Sequence, residues 1–185
     1  MPVIELHLLD GYDDKAKTRL GEALTDAVRL VVPADPDAVT VMIHERSPSQ
    51  YMRGRQRREG APALPDPARI VRAYLDAMEA RDLDSARAHL ASGFTMTFPG
   101  SGPMTTLEEL IEWSRPRYQK IGKTYDAFET CPTPGPAVVY SRGTLHGIWP
   151  DGTPFEGIRF IDRFELENGK ITRQDVWNDI AEVRA

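Results

Sequence analysis

The spacing of apolar residues in the first part of the chain predicts a strand, a helix and a second strand. Residues 3–9 form a short apolar run rich in branched side chains, and Asp13 follows as a helix cap. Apolar residues then recur at helical spacing, at Leu20, Leu24, Ala27, Val28 and Val31. Pro33 ends this helix, and residues 39–43 have the pattern of a second strand. The unit is β-α-β.

Helical spacing also opens the second part of the chain. Asp66 and Pro67 have the pattern of an N-cap and a first helical residue, and an apolar stripe follows at Ile70, Val71, Tyr74, Leu75 and Met78. A short helix is expected over 82–90. Alternation at Phe94, Met96 and Phe98 predicts a strand, and a capping box opens another helix that runs from Thr106 through Trp113.

The last third of the chain has the pattern of strands joined by turns. From Tyr125 onward, long strand-like runs cover 137–149, 154–166 and 170–180. Asp-Gly and Asn-Gly pairs separate these runs, and both are hairpin signals. We therefore expect helices packed on a curled antiparallel sheet.

A segment without apolar periodicity separates the two patterns. It holds three prolines and two glycines between residues 54 and 67, which is typical of a linker. We predict an α+β protein with a first domain over 1–53, a linker over 54–66 and a second domain over 67–185. Two strands and one helix bury little apolar area, so we expect self-association or docking on the second domain to complete the first core.

Composition excludes several classes of function. The chain has 185 residues, 41% of them apolar, and a net charge of -5, whereas a nucleic-acid surface usually carries a basic excess. Its apolar stretches are shorter than the ~20 residues that span a bilayer. Glu5 stands where a signal peptide carries positive charge, so we expect the mature protein to begin at or beside Met1. Cys131 is the only cysteine, which favours a reducing, cytoplasmic location.

A proline at position two has distinctive chemistry once the initiator methionine is removed. The Pro2 nitrogen then becomes a free secondary amine. Apolar surroundings disfavour its charged form, and an amine that is neutral at pH 7 acts as a general base.

The segments PVIELHLLDGYDDKAKTRL and AVTVMIHE, together with Tyr51, resemble the 4-oxalocrotonate tautomerase family over residues 2–53. Members of this family are short β-α-β units that assemble as hexamers or trimers. The resemblance implies a homo-oligomer in which Pro2 shuttles a proton between the enol and keto forms of a small molecule.

The same resemblance suggests residues that bind the substrate. Tyr51 stands where the family has an aromatic residue that closes the pocket, although a packing role on a hairpin is equally consistent with the sequence. Tyr12 and Thr40 stand where well-known members have arginines that hold carboxylates, so this chain lacks the family's usual contacts to a dicarboxylate substrate. Arg53 is a candidate replacement because guanidinium pairs with carboxylate through two hydrogen bonds. A solvated or subunit-contact role is the alternative for Arg53.

The segments VRAYLDAMEARDLD and FIDRFELENGKI resemble the nuclear-transport-factor-2-like fold of ketosteroid isomerase and polyketide-cyclase-like proteins, over residues 67–183. That resemblance implies a cone-shaped pocket between helices and sheet. Tyr74 and Asp162 match the tyrosine and the protonated aspartic acid that stabilise an enolate in ketosteroid isomerase. The place of the proton-abstracting aspartate falls at or beside Phe98, so steroid isomerase activity is not expected. Asp162 alternates with Phe160, which predicts that Tyr74 and Asp162 face one cavity and that burial raises the pKa of Asp162. A structural hydrogen bond between them is the alternative.

These observations favour an isomerase that acts on a small, anionic carbonyl compound. A hydratase or dehalogenase of unsaturated acids, with a cationic Pro2, is an alternative within the same family. A binding protein that uses only the second cavity is an alternative of another class. The sequence contains no metal-ligand spacing, phosphate loop or nucleophile elbow, so we expect neither a metal nor a cofactor.

Overall fold

The computed structural model describes residues 1–183, and the chain divides into two compact units, Met1–Ala63 and Leu64–Ala185. Each unit contains both helices and strands. The predicted α+β class is therefore confirmed, with a small β-α-β unit followed by helices on a curved sheet.

The first unit is built on two parallel strands joined by a helix. Strand β1 (Val3–Leu9) pairs with β2 (Thr40–Arg46), and Val3 lies opposite Thr40. Helix α1 (Asp14–Arg29) connects them, and the Asp13 side chain caps it by accepting a hydrogen bond from the Ala16 amide at 2.8 Å. The β-α-β prediction is confirmed.

Helix α1 ends earlier than its apolar stripe predicts. Arg29 is its last residue, and Val31, expected on the buried stripe, is 85% exposed. The amides of Val31 and Val32 both donate to the Val28 carbonyl in a terminal turn. Pro33 disfavours helical backbone at the residue before it, so the chain leaves the helix ahead of the proline.

A tight hairpin occupies part of the predicted linker. Strand β3 (Met52–Arg53) pairs with β4 (Gln56–Arg57), so the segment 54–66 is not structureless throughout. Gly54 and Arg55 form the two-residue loop with φ of 61° and 64°. Positive φ at both positions is typical of a type I′ turn, whose twist matches the twist of the two flanking strands. The sequence reading missed it because only one of the two residues is glycine.

The first unit has an open sheet face. Residues of β1 alternate between exposed and half-buried, and no described residue of this unit is buried. Val3 and Met42 are large apolar residues that remain 54% and 38% exposed. Residues 1–63 therefore form no closed core by themselves.

The second unit packs helices on a five-stranded sheet with the order β5-β9-β8-β7-β6. Its strands are β5 (Leu90–Thr97), β6 (Lys120–Cys131), β7 (Ala137–Ile148), β8 (Pro154–Glu167) and β9 (Lys170–Asn178). Its helices are α2 (Pro67–Glu79), α3 (Leu83–Arg87), α4 (Leu107–Ser114) and α5 (Ile180–Val183).

The predicted helix starts of this unit are confirmed. Asp66 accepts a hydrogen bond from the Ala68 amide at 3.0 Å, and Pro67 is the first residue of α2. Thr106 and Glu109 form both hydrogen bonds of the capping box before α4.

Several strand and helix boundaries and one strand pairing differ from the sequence expectations. The helix expected over 82–90 ends at Arg87, because the His89 carbonyl already accepts a hydrogen bond from Ile171 in β9 at 2.9 Å. Strand β5 runs parallel to β9, so the sheet is not antiparallel throughout. Strand β6 begins at Lys120 rather than Tyr125, and β9 ends at Asn178 before α5.

Two apolar clusters fill the space between the helices and the sheet. The larger one includes Val71, Tyr74 and Phe164, and the smaller one contains Leu145, Phe155, Ile158 and Phe160. Partly buried Tyr125 packs against both clusters. The helices α2 and α4 therefore stand over a sheet whose inner face is apolar.

Candidate functional sites

Pro2 lies directly before β1 and is half-buried. Its carbonyl accepts a hydrogen bond from the Thr40 amide at 3.0 Å. Of the residues suggested for substrate binding in the first unit, Thr40 is therefore the one fixed beside Pro2.

Tyr12 lies beyond the opposite end of β1. That strand has seven residues, and a strand rises about 3.3 Å per residue, so roughly 20 Å separate its two ends. Tyr51 and Arg53 follow the carboxyl end of β2. Because the strands are parallel, this is the same end of the sheet at which Tyr12 follows β1. Tyr51 and Arg53 are both exposed, Tyr51 by 41%. One chain does not bring Tyr12 to Pro2.

The second unit contains a cavity of about 320 Å³ between its helices and its sheet. Three residues suggested from the sequence line it, namely Tyr74, Phe98 and Phe160. The wall is largely aromatic and aliphatic, with a few polar side chains, which is the usual composition of a small-molecule pocket. Its basic and amide side chains are Arg81, Arg117, Lys123, Gln174 and Asn178.

Tyr74 is held by a buried hydrogen bond. It projects from α2, is 1% exposed, and donates from its hydroxyl to Gln174 Oε1 at 3.1 Å. Burial raises the pKa of Tyr74 far above its ordinary value, and the negative charge of Asp162 raises it further. The phenol therefore stays protonated and acts as a hydrogen-bond donor.

Asp162 is completely buried on β8, and its carboxylate is paired with the ammonium of Lys123 from β6. Burial raises the pKa of Asp162, while the Lys123 charge and the Ser141 hydroxyl oppose that rise. The ammonium also lies 4.4 Å from the centre of the Phe160 ring.

The partners of Tyr74 and Asp162 differ from both sequence hypotheses. Tyr74 lines the cavity but Asp162 does not, because Lys123 pairs with its carboxylate and forms part of the wall instead. The two residues do not hydrogen-bond to each other, since Tyr74 donates to Gln174. Asp162 therefore affects the cavity indirectly, because it positions the Lys123 ammonium in the wall.

Lys123 and Gln174 were missed by the sequence reasoning. Lys123 was overlooked because the strand was expected to begin at Tyr125, two residues later. Extending the alternation backward places Lys123 on the same face as Tyr125, which is the signal that would have found it. Gln174 lies on β9 and has no pattern that distinguishes it from a surface glutamine.

No group of three or more metal-ligating side chains is found among residues 1–183. In the same part of the chain, every helix is too short or too polar to cross a bilayer.

Solved structures of other proteins share the fold of about two thirds of this chain. An NTF2-like protein of unknown function from Burkholderia pseudomallei is 21% identical, with a TM-score of 0.54, over 64% of this chain and 95% of its own. TerC co-crystallised with polyporic acid is 15% identical, with a TM-score of 0.54, over 64% and 96%. An NTF2-like protein from Burkholderia thailandensis is 20% identical, with a TM-score of 0.54, over 65% and 96%. At these identities the likeness establishes the fold alone.

Family models match both units. The tautomerase enzyme model matches residues 2–57, and the SnoaL-like domain model matches residues 71–174. A search of curated proteins found no match. Both resemblances seen in the sequence are thereby confirmed. Since the second match spans more than half of the chain, this protein belongs to the SnoaL-like domain family and carries a tautomerase-family unit ahead of that domain.

Proposed function

We propose that this protein is an isomerase whose first unit interconverts the enol and keto forms of a small, anionic carbonyl compound. The observation that carries the proposal is the tautomerase match over residues 2–57, which begins at Pro2. Pro2 is half-buried at the start of β1, and its carbonyl is fixed by the Thr40 amide. Removal of Met1 frees the prolyl nitrogen, which then takes a proton from one carbon or oxygen and returns it to another.

Self-association completes the site in this proposal. The open face of the first unit leaves Val3 and Met42 exposed, and burying such residues stabilises an assembly. Because Tyr12 lies at the opposite end of β1 from Pro2, a second copy of the chain supplies Tyr12, Tyr51 and Arg53 to the pocket around Pro2. The guanidinium of Arg53 then pairs with the anionic group of the substrate.

The experiment that tests this function compares the wild type with Pro2→Ala and with Pro33→Ala, using phenylpyruvate enol and 2-hydroxymuconate. Loss of one general base lowers the rate by about 10²- to 10⁴-fold. The rate of enol conversion by Pro2→Ala should therefore fall by that factor, while its melting transition stays unchanged. Pro33→Ala alters an exposed proline of the same unit and keeps full activity. The proposal fails if wild-type protein without Met1 converts neither enol, or if Pro2→Ala equals the wild type.

A second function is favoured by the cavity of the second unit, which we propose binds a small molecule independently of Pro2. A volume of about 320 Å³ lies at the lower end of the range for small-molecule pockets. If enol conversion persists in Pro2→Ala but disappears in a folded Lys123→Met/Asp162→Asn variant, which leaves no unpaired charge, the chemistry belongs to this unit instead.

A further inference from the structure

The side chain of Lys123 connects the cavity to a buried carboxylate two strands away. Lys123 lies on the edge strand β6 and Asp162 on β8, with β7 between them. Gly143 of β7 lies opposite Phe160, and a Cβ atom there would stand 1.9 Å from the Thr124 carbonyl oxygen of β6. Glycine at this position therefore allows β6 to run close to β7 at the level of Phe160.

The Lys123 ammonium, which lines the cavity, has more N–H donors than its salt bridge uses. An ammonium carries three N–H donors, and within residues 1–183 the hydrogen bond recorded for Lys123 Nζ is to Asp162. The side chain of Lys123 is 19% exposed while that of Asp162 is fully buried. Asp162 therefore acts as a positioning residue that fixes the direction of a cation facing open space.

The charges around the cavity favour an anion. Among residues 1–183, Arg81, Arg117 and Lys123 line it together with one acidic residue, Glu79, and the buried Asp162 lies behind the wall. In a site partly excluded from water, a cation in the wall attracts an anionic group more strongly than it does at an open surface.

Aromatic rings provide much of the remaining wall, and flat rings pack well against them. They come from Tyr74, Phe98, Trp113, Tyr118, Tyr125 and Phe160. Phe98 and Trp113 are a close pair, with ring centres 5.3 Å apart.

We propose that Lys123 anchors a ligand in this cavity, and that the ligand is a largely apolar, ring-containing molecule with one acidic oxygen, such as a carboxylate, phenolate or enolate. The proposal rests on the small-molecule function proposed above for the second unit. Lys123 donates a charge-assisted hydrogen bond to the acidic oxygen while the rings hold the apolar part. Asp162 keeps the ammonium in place.

A pair of fluorescent probes tests this anchor in the full chain. 8-Anilinonaphthalene-1-sulfonate and N-phenyl-1-naphthylamine have the same rings. They differ in the negatively charged sulfonate group, which the first probe carries and the second lacks. The variant Lys123→Met/Asp162→Asn removes both charges together, so that no buried charge is left unpaired. It should weaken sulfonate-probe binding by roughly 10- to 100-fold and neutral-probe binding by less than about 3-fold. Lys123→Arg keeps the cation and should retain most of the selectivity.

The controls separate failure of the anchor from failure of the cavity function. Ala181 lines the cavity from an exposed position, so Ala181→Trp should block both probes without disturbing the core. If the wild type binds neither probe, or if Ala181→Trp changes neither affinity, the cavity function fails and the anchor with it. If both probes bind in the cavity but the double variant weakens them equally or not at all, the anchor alone is overturned. Circular dichroism confirms that each variant is folded.

Discussion

The Lys123 ammonium forms a salt bridge with the carboxylate of Asp162, whose side chain is completely buried while that of Lys123 is 19% exposed. Transferring a carboxylate from water into an apolar interior is costly unless a partner compensates its charge. The pair therefore couples the stability of the second unit to the position of a cation in the cavity wall. This coupling leads to two predictions.

Removing only the cation should destabilise the protein. We expect Lys123→Met to lower the free energy of unfolding by about 3–5 kcal/mol at neutral pH, because Asp162 is left buried without a partner. Lys123→Met/Asp162→Asn should lose far less, since it leaves no uncompensated charge. Urea denaturation measures both. A double variant as unstable as Lys123→Met would show that the loss comes from packing rather than from charge.

The pH dependence of Lys123→Met follows from the pKa of Asp162. Burial raises this pKa above its ordinary value of 3.8, and Lys123 opposes the rise. A raised pKa in the folded state means that the stability contributed by protonation is complete below the unfolded value and is lost as the pH rises through the folded value. Lys123→Met removes the opposing charge, so its deficit against the wild type should shrink as the pH falls from about 7 towards about 4. A deficit that grows on acidification contradicts this explanation.

Tyr74→Phe should destabilise the second unit by about 1–3 kcal/mol, because the buried Gln174 amide loses its hydrogen-bond partner. Tyr74→Phe/Gln174→Met removes both polar groups and should recover part of the loss. Thermal and urea unfolding of the two variants provide the comparison. If the double variant is no better than Tyr74→Phe, the hydrogen bond is not the cause.

The sequence predicted the elements that rest on local chemistry. The caps at Asp13 and Asp66 and the capping box at Thr106 depend on side chains within three residues of the amides they bind. Alternation along β8 correctly placed Phe160 and Asp162 on the buried side of the strand. Such features need no information about distant parts of the chain.

Long-range pairing is what the sequence did not reveal. Asp162 was expected to face the cavity directly, but its partner lies 39 positions away on a strand whose beginning was assigned too late. Tyr74 and Gln174 are 100 positions apart, and the sequence around either residue does not indicate its hydrogen-bond partner. The parallel pairing of β5 with β9 depends on the whole sheet. Local periodicity gives the face of a strand but not its neighbours.

If the protein self-associates through the open face of the first unit, Met42→Lys should shift it towards the monomer. A charge there opposes burial of the face that carries Val3 and Met42. Ala23→Lys adds the same charge at an exposed position on α1 and should leave the assembly intact. Sedimentation at micromolar concentration is the measurement. A wild type that sediments only as a monomer would sink the idea.

The proposed anion contact of Arg53 predicts an effect on KM. Arg53→Ala should raise KM for the enol substrates by about 10-fold with little change in kcat, because it removes binding made equally in the ground and transition states. Arg58→Ala, an exposed arginine of the same segment, should leave both constants unchanged. Equal effects of the two variants would mean that Arg53 contributes only general positive charge.

The central claim is that Pro2 carries a free, neutral nitrogen that acts as a general base. It is tested most directly by ¹⁵N NMR titration of protein labelled with ¹⁵N-proline. The prediction is an amine signal for Pro2, which requires removal of Met1, with a midpoint below the ~7.7–8.0 of ordinary α-amino groups. Pro2→Ala identifies the signal by its disappearance. An amide signal at Pro2, or an amine that stays protonated well above pH 8, would contradict the assignment of Pro2 as the base.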